Sequence, residues 1–571
     1  MSSIIPSPSE PGDPPWPMAN GQRANTPVLV AGAGPVGLSA ALALARCGVP
    51  TLVLEAGPER DADYFASTGS KAICFQRDVL DIFDRFGAAD RLVAEGTTWT
   101  TARTYYRQHE VRTVTFSDDS DGSTASLPPW INISQARVEQ ELLRRADAEP
   151  LIAVRYEHEL TGASQDREGV TAHVRGSGGH TLSLRGSHLV GADGPRSTVR
   201  GLLGVEFPGE SFADRFLICD IRADLPFPNE RRFFFDPEWN PGRQVLVHQC
   251  PDSVWRIDWQ VPDGYDLQEE RDSGALDRRI RRIVGERPYE VVWSSVYRFH
   301  ERCAERFAVG RVLLAGDAAH LYAPFGARGL NSGVQDAENL GWKIALARDA
   351  GSAGNAELLL DSYHTERWAA AQENLRVTGE TMRFLVPHSD ADARRRRETL
   401  QRAVTDSGAR SEIDSGKLAE PYWYPESPLT TPAPASELVP EEPGSYRPPV
   451  PGVICPDGPC RVADRPGATR LRQLFGSGFT VLTATSSQAR AVAEAVAELP
   501  VPVATHALSD IDTTGELAWS LQNDGETVHV VRPDAHLCAV LPAHATTAVA
   551  GALRRACGDE APARTGTRVR A

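Results

Sequence analysis

A stretch of 33 residues near the start, TPVLVAGAGPVGLSAALALARCGVPTLVLEAGP, limits the possible folds more than any other part of the chain. Residues 27–31 are a short apolar run, suited to a buried parallel strand. Gly32-Ala33-Gly34-Pro35-Val36-Gly37 then fits G-x-G-x-x-G. Residues 38–47 are rich in Ala and Leu and read as a helix, with Gly48 as its stop. Thr51–Leu54 is a second strand, ending at Glu55, 18 residues past Gly37. Each part has a physical task. Gly32 permits a tight turn, Gly34 lets a pyrophosphate approach the backbone, and Gly37 lets the helix pack on the strand. The helix N-terminus turns its partial positive charge toward the phosphates, with Pro35 and Val36 at its edge. Glu55, followed by Ala56, accepts hydrogen bonds from ribose hydroxyls and repels a 2′-phosphate. The unit is expected to hold the adenosine half of FAD or NAD, not NADP.

The same stretch holds an uncharged run, residues 28–45, that imitates a membrane span. Its glycines and Pro35 fit the nucleotide turn better, so no membrane association is expected. The length of 571 residues suggests about three or four compact units. The net charge of −16 argues against a nucleic-acid partner held by phosphate neutralisation. Nine scattered cysteines without a CxxC suggest a reducing compartment, the cytoplasm, and no disulfide framework or metal site. Lysine occurs only at 71, 343 and 417, so almost all positive charge is Arg.

Residues 1–26 are rich in Pro, Ser, Gly and Asn and read as a disordered tail. Residues 27–405 read as mixed strands and helices. Residues 406–452 are Pro-rich and read as an extended linker. Residues 453–571 read as a small α/β unit, with strands in GFTVLTAT and ETVHVVRPD and a helix in SSQARAVAEAVAEL. The expected class is α/β.

Two further motifs narrow the nucleotide. In SHLVGADGPRSTV a strand ends at Val190, Gly191-Ala192-Asp193-Gly194 turns, and Ser197 opens a helix. In GRVLLAGDAAH a buried strand leads to Gly316-Asp317. An Asp at the C-terminal edge of a parallel strand points into the ligand crevice, where it can accept from ribitol hydroxyls. Pro324-Phe325-Gly326-Ala327-Arg328-Gly329-Leu330-Asn331 then precedes a good helix. The free N–H groups at its start suit the negative pyrimidine end of a reduced flavin.

Together the GAGPVG, GADGPRS and GDAAHLYAPFGARGLN segments resemble the class A flavoprotein monooxygenases of the para-hydroxybenzoate hydroxylase fold, over about residues 27–385. The longer phenol and polyketide hydroxylases, with a C-terminal thioredoxin-like domain, are the subgroup most similar. The resemblance implies an FAD-binding domain with an interleaved β-sheet substrate domain, drawn from about 95–130 and 207–305. It places Asp317 on the flavin ribitol, Pro324 beside the isoalloxazine, and Gly329, Leu330 and Asn331 at its pyrimidine edge. Asp193 and Gly194 would serve the pyrophosphate. Gln135, helped by Arg137, matches a flavin-contacting Gln, and Lys71 stands where the family often has Arg. The implied activity is hydroxylation of a phenolic or polycyclic, polyketide-like aromatic. FAD is the cofactor, NADPH or NADH the transient reductant and O₂ the co-substrate, with oxygen delivered through a flavin C4a-hydroperoxide. A homodimer is expected. The competing readings are an FAD oxidoreductase that inserts no oxygen and a flavin-bearing protein that sequesters a pathway intermediate.

For the substrate wall, RRFFFDPEWNPGRQVLVHQCPDSVWRIDWQ alternates aromatic and β-branched residues between turns and reads as sheet. Phe233, Phe235, His248 and Trp255 are the candidate pocket residues. His248 or Asp236 could act as the base that ionises a phenol.

Overall fold

The computed structural model describes residues 26–69, 71–116, 127–350, 353–387, 389–432 and 448–559. Nearly all of the expected N-terminal tail, residues 1–25, lies outside them.

The first strand, Val28–Ala31, is buried along its whole length. It sits inside a six-stranded sheet in the order Ala308–Val309, Val312–Leu314, Leu189–Gly191, Val28–Ala31, Thr51–Leu54, Ile152–Arg155. Four of its five pairings are parallel, and the edge pair Ala308–Val309 with Val312–Leu314 is antiparallel. The helix after the glycines is Pro35–Arg46, three residues longer at its start than the Ala/Leu run alone indicates. Proline carries no N–H and its φ is already helical, so the first helical position suits it. The long helix Arg328–Asp349 lies against this helix at small residues. A Cβ on Gly341 would stand 2.7 Å from that of Ala43.

An eight-stranded sheet covers the strand ends. Its order is His320–Leu321, Tyr289–Cys303, Gly209–Ala223, Val254–Val261, Gln244–Gln249, Arg231–Phe235, Thr101–Tyr106, His109–Thr115. Period-2 alternation decides which side chains face the nucleotide fold. On Val254–Val261, Trp255, Ile257, Trp259 and Val261 enter an outer core with Leu276, Ile280 and Val284 of the helix Ala275–Val284. The intervening Arg256 and Asp258 face inward. Pairing aligns Ile218, Asp258 and Leu246 in one row across three strands, and Asp220, Arg256 and His248 in the next.

The C-terminal unit is a four-stranded mixed sheet in the order Val503–Ala507, Phe479–Thr483, Thr527–Val531, Leu537–Pro542. Its first pair is parallel and the other two are antiparallel. Helices Ser486–Val496 and Thr546–Ala556 pack on it, giving a thioredoxin-like arrangement. Thr485 and Gln488 form a capping box at the first of these helices.

The Pro-rich stretch departs from the extended linker expected. Its described part, to residue 432, holds one short 3₁₀ turn, as its prolines dictate, but it is not loose. Ile413, Trp423, Tyr424 and Leu429 are buried. The Ala419 N–H donates to the Gly326 carbonyl at 2.8 Å. Residues 433–447 lie outside the described residues. All nine cysteines are free. Among the described residues, no helix is long and apolar enough to cross a membrane.

Candidate functional site

One cavity of about 620 Å³ joins the three glycine-bearing turns to the inner face of the eight-stranded sheet. At its nucleotide end it is lined by Gly32, Gly34, Pro35, Val36, Glu55 and Ala56. Gly34 has open space where a Cβ would stand, as a phosphate cradle requires. Gly32 has φ +99°, and a Cβ there would lie 2.5 Å from the Ala192 carbonyl oxygen. Gly37 does not line the cavity. Its Cβ would stand 1.9 Å from the Gly32 carbonyl oxygen, so it serves the packing of helix on strand. The Glu55 carboxylate accepts from the Ala33 N–H (2.8 Å), the Gly57 N–H (2.9 Å) and Arg60 Nη2 (2.8 Å). Arg60, which sequence reasoning missed, also pairs with Glu139.

Lys71, Gln135, Asp193, Gly194 and Asp317 line the middle. Gln135 opens the helix Gln135–Asp147, and its Oε1 accepts from the Ala72 N–H at 3.3 Å. Arg137 points elsewhere and pairs with Glu95 at 3.0 Å. Asp193 is a cap: it accepts from the Ser197 hydroxyl and from the Val199 N–H (3.1 Å) at the helix Thr198–Leu202. Capping holds Gly194, at φ +80°, against the cavity. Asp317 faces the cavity, and burial raises its pKa. Gly316 lies behind it, where a Cβ would strike Val36. Below this turn Asp336 accepts from the Gly316 N–H (3.0 Å) and from Arg367 Nε (2.6 Å), with His320 Nε2 at 2.6 Å. Burial opposes its charge, but His320 and Arg367 outweigh it and hold its pKa at about 2.

Pro324 to Asn331 line the next section without a break. Ala327, at φ +57°, precedes the first turn of helix Arg328–Asp349 and aims that turn's unsatisfied N–H groups at the cavity. The Asn331 side chain holds the turn in place. It accepts from the Gln76 N–H (3.2 Å) and donates to the carbonyls of Cys74 (3.0 Å) and Ala327 (2.6 Å).

At the sheet end, His248 is the one residue of the four expected pocket residues that lines the cavity. Trp255 has the opposite parity to Arg256, and its indole N–H donates to the Ala223 carbonyl in the outer core. Phe233 and Phe235 are buried in a core with Met382 and Leu385. Asp236, at φ +49°, accepts from the Gly242 N–H (2.6 Å) and pairs with Arg107 at a hairpin end outside the cavity. The residues present instead are Phe216, Ile218, Leu246, Phe299 and Tyr322, with Arg231, Arg256 and Asp258. Arg256 forms a two-point ion pair with Asp220 (2.6 and 2.8 Å). Arg231 is buried, which lowers its pKa to about 10, and it donates to the Ser415 carbonyl. Burial, with Arg231 and Arg256 nearby, lowers His248 well below the usual imidazole range. Burial raises Asp258 to about 7 despite Arg256. No cluster that could hold a metal ion occurs among the described residues.

Residues 25–378 match the model of the FAD binding domain family. The chain belongs to that family. Its cofactor is FAD, and the donor set fits it: an open glycine cradle at Gly34, an acid at Glu55, an unpaired carboxylate at Asp317 and a helix N-terminus at Arg328 lie along one cavity. This flavoprotein is 32% identical over 389 residues to a 3-(3-hydroxy-phenyl)propionate/3-hydroxycinnamic acid hydroxylase of Mycobacterium avium (strain 104), covering 65% of this chain and 63% of the relative. It is 34% identical over 370 residues to a flavin-dependent monooxygenase of Mycobacteroides abscessus, covering 60% and 71%. The match thus covers just under two thirds of the first relative's length. Among solved structures, the flavin-dependent monooxygenase PieE in complex with FAD and substrate superimposes with a TM-score of 0.78 at 24% identity, covering 94% of this chain and 99% of that one. Aklavinone-11 hydroxylase with FAD and aklavinone gives 0.72 at 25% identity, covering 93% and 99%. The shared fold extends over both units of this flavoprotein.

Proposed function

We propose that this flavoprotein is an NAD(P)H-consuming monooxygenase that hydroxylates a phenolic or polycyclic aromatic substrate. The observation that carries the reading is the continuous cavity running from the Pro324–Asn331 turn to the sheet face bearing His248, Arg256 and Asp258. The names of the relatives support it, since they include aromatic hydroxylases. Reduced FAD supplies activated oxygen to an electron-rich ring.

The protein's part is to bind, orient and keep dry. Gly34 and Glu55 hold the pyrophosphate and ribose, with Lys71, Gln135, Asp193 and Gly194 beside them. Asp317 accepts from the ribitol, and the N–H groups of Gly329 and Leu330 stabilise negative charge at the pyrimidine edge. Phe216, Leu246, Phe299 and Phe325 wall the substrate end with apolar surface and exclude water. Its nine free thiols support residence in a reducing cytoplasm.

The test is NADPH and NADH oxidation by the FAD-loaded protein with a panel of phenols, naphthols and hydroxyanthraquinones. The reading expects phenol-stimulated oxidation with a product heavier by one oxygen. Stimulated oxidation that ends wholly in H₂O₂ with every phenol would assign an oxidase instead. No stimulation at all would assign a sequestering protein.

A further inference from the structure

Four polar atoms of residues lining the cavity have no partner: Tyr322 Oη and Arg328 Nε near the Pro324–Asn331 turn, and two on the sheet face. Asp258 Oδ1 and His248 Nδ1 are both buried and unbonded. A buried polar atom left unpaired is destabilising, so such atoms mark where a ligand's polar groups belong. Asp258 is the one of the two that can take a proton and hold it as a neutral acid. It lies two residues from Arg256 on the same strand and therefore on the same face. Arg256 is neutralised by Asp220 through two hydrogen bonds. Arg231 forms no ion pair among the described residues, and its charge lines the cavity. The wall thus presents an unpaired proton acceptor and, two strands away along the same cavity, a cation with no counter-ion.

We infer that Asp258 is the catalytic base that takes the phenol proton of the substrate, and that Arg231 is the cation that holds the resulting phenolate. The inference rests on the monooxygenase reading and names the substrate's reacting group. The phenol O–H bond breaks, its electron pair stays on oxygen, and the proton moves to the Asp258 carboxylate. Nothing is oxidised or reduced in this step. When the hydroxylated ring becomes aromatic again, its C–H bond breaks, the electron pair returns to the ring and that proton passes to solvent, while the substrate oxygen recovers the first proton from Asp258.

The phenolate is a far stronger ring donor than the phenol, and making it is what the base contributes. The groups that face Asp258 are Arg256 on its own strand, Asp220 and His248 on the neighbouring strands, and Arg231 one strand further. Asp258 titrates at about 7 and must be ionised to accept, so turnover falls as pH drops below that value.

The experiment compares FAD-loaded wild type, Asp258→Asn and Asp258→Glu. The substrate is 1-naphthol, or another phenol of the panel above that yields hydroxylated product. The readout is hydroxylation kcat from pH 6 to 9.5. At pH 7 Asp258→Asn is expected to lose roughly 10²–10⁴-fold. The loss shrinks steadily toward pH 9.5, where the naphthol ionises without help, and Asp258→Glu recovers part of the pH 7 rate. A loss that stays constant across pH, or no loss, overturns the assignment while leaving the monooxygenase reading intact. A wild type that hydroxylates no phenol overturns that reading, and this one with it.

Discussion

Gly34 and Gly37 share one motif but answer to different constraints. Gly34 has φ −68° and open space at its Cβ, so alanine fits the protein and fills the phosphate cradle. Gly34→Ala is expected to keep the apo melting temperature and to weaken FAD binding at least tenfold by calorimetric titration. Gly37→Ala would drive a Cβ onto the Gly32 carbonyl and is expected to lower the melting temperature before FAD is added. Asp258 yields a prediction of opposite sign. Its folded pKa lies above its unfolded value, so between about pH 4 and 7 the unfolded chain ionises there and the native state does not. Stability is therefore lost as pH rises through that window. Asp258→Asn is expected to be more stable than wild type at pH 8, on the order of 2 kcal/mol by urea unfolding, while losing activity. The glycines and Glu55 are legible in sequence because backbone approach and ribose recognition tolerate few residue types. Arg256 and Asp258 are not. In VWRIDWQ the alternation of aromatic and β-branched residues puts Trp255 forward as a pocket residue and passes over the intervening Arg256 and Asp258. The sheet has two covered faces, and the polar one is the pocket.

At the scale of elements, charge joins the two units. The helix Arg77–Arg85 carries Asp78, Asp81 and Asp84 at successive three-residue steps, which puts them on one side. Arg472 of the C-terminal unit reaches Asp81 (2.7 Å) and Asp78 (3.3 Å), and Arg470 reaches Asp81 (2.8 Å) and Asp84 (2.6 Å). Burial opposes the charge on Asp81, but Arg472 and Arg470 hold its pKa below the ordinary value. Arg472→Ala leaves buried carboxylates without their cation and is expected to cost about 3–5 kcal/mol in urea unfolding. Nothing within the helix explains the acidic stripe; its partner lies some 390 residues away in the chain. The Pro-rich stretch misleads. Proline forbids regular structure there, yet irregular chain can still pack: a Cβ on Gly326 would meet the Lys417 carbonyl oxygen at 2.2 Å. That stretch places Leu418 in the cavity wall.

Over the whole molecule, a second buried network ties the C-terminal unit to the FAD-binding unit. Glu366 accepts from Lys343 (2.7 Å) and from both Arg532 nitrogens (2.7 and 2.9 Å), while Asp534 accepts from Asn339 (3.0 Å) and Trp342 (3.1 Å). Burial opposes the charge on Glu366 and Asp534, but Arg532 and their other cationic neighbours outweigh it and depress both pKa values. With Asp336, these groups contribute stability that is present above the unfolded carboxylate range, about pH 4, and is lost as pH falls through their lowered values. The melting temperature is expected to fall steeply between about pH 4 and 2 with both units unfolding together. Two separate transitions would show that the network does not couple them. No residue of 453–559 lines the cavity, so the C-terminal unit supports the site without entering it. At this scale the order of units was legible from the three glycine-bearing motifs and the second α/β pattern. Their mutual packing was not, because it rests on ion pairs between residues far apart in sequence.

The central claim is that an aromatic ring, bound between the flavin segment and the polar sheet face, receives one atom of molecular oxygen. Turnover of the FAD-loaded protein with NADPH and a phenol under ¹⁸O₂, followed by mass spectrometry, tests it directly. The account predicts one ¹⁸O atom in each product molecule. Product oxygen drawn from water, or reductant consumed with all of the label recovered as hydrogen peroxide, would contradict it.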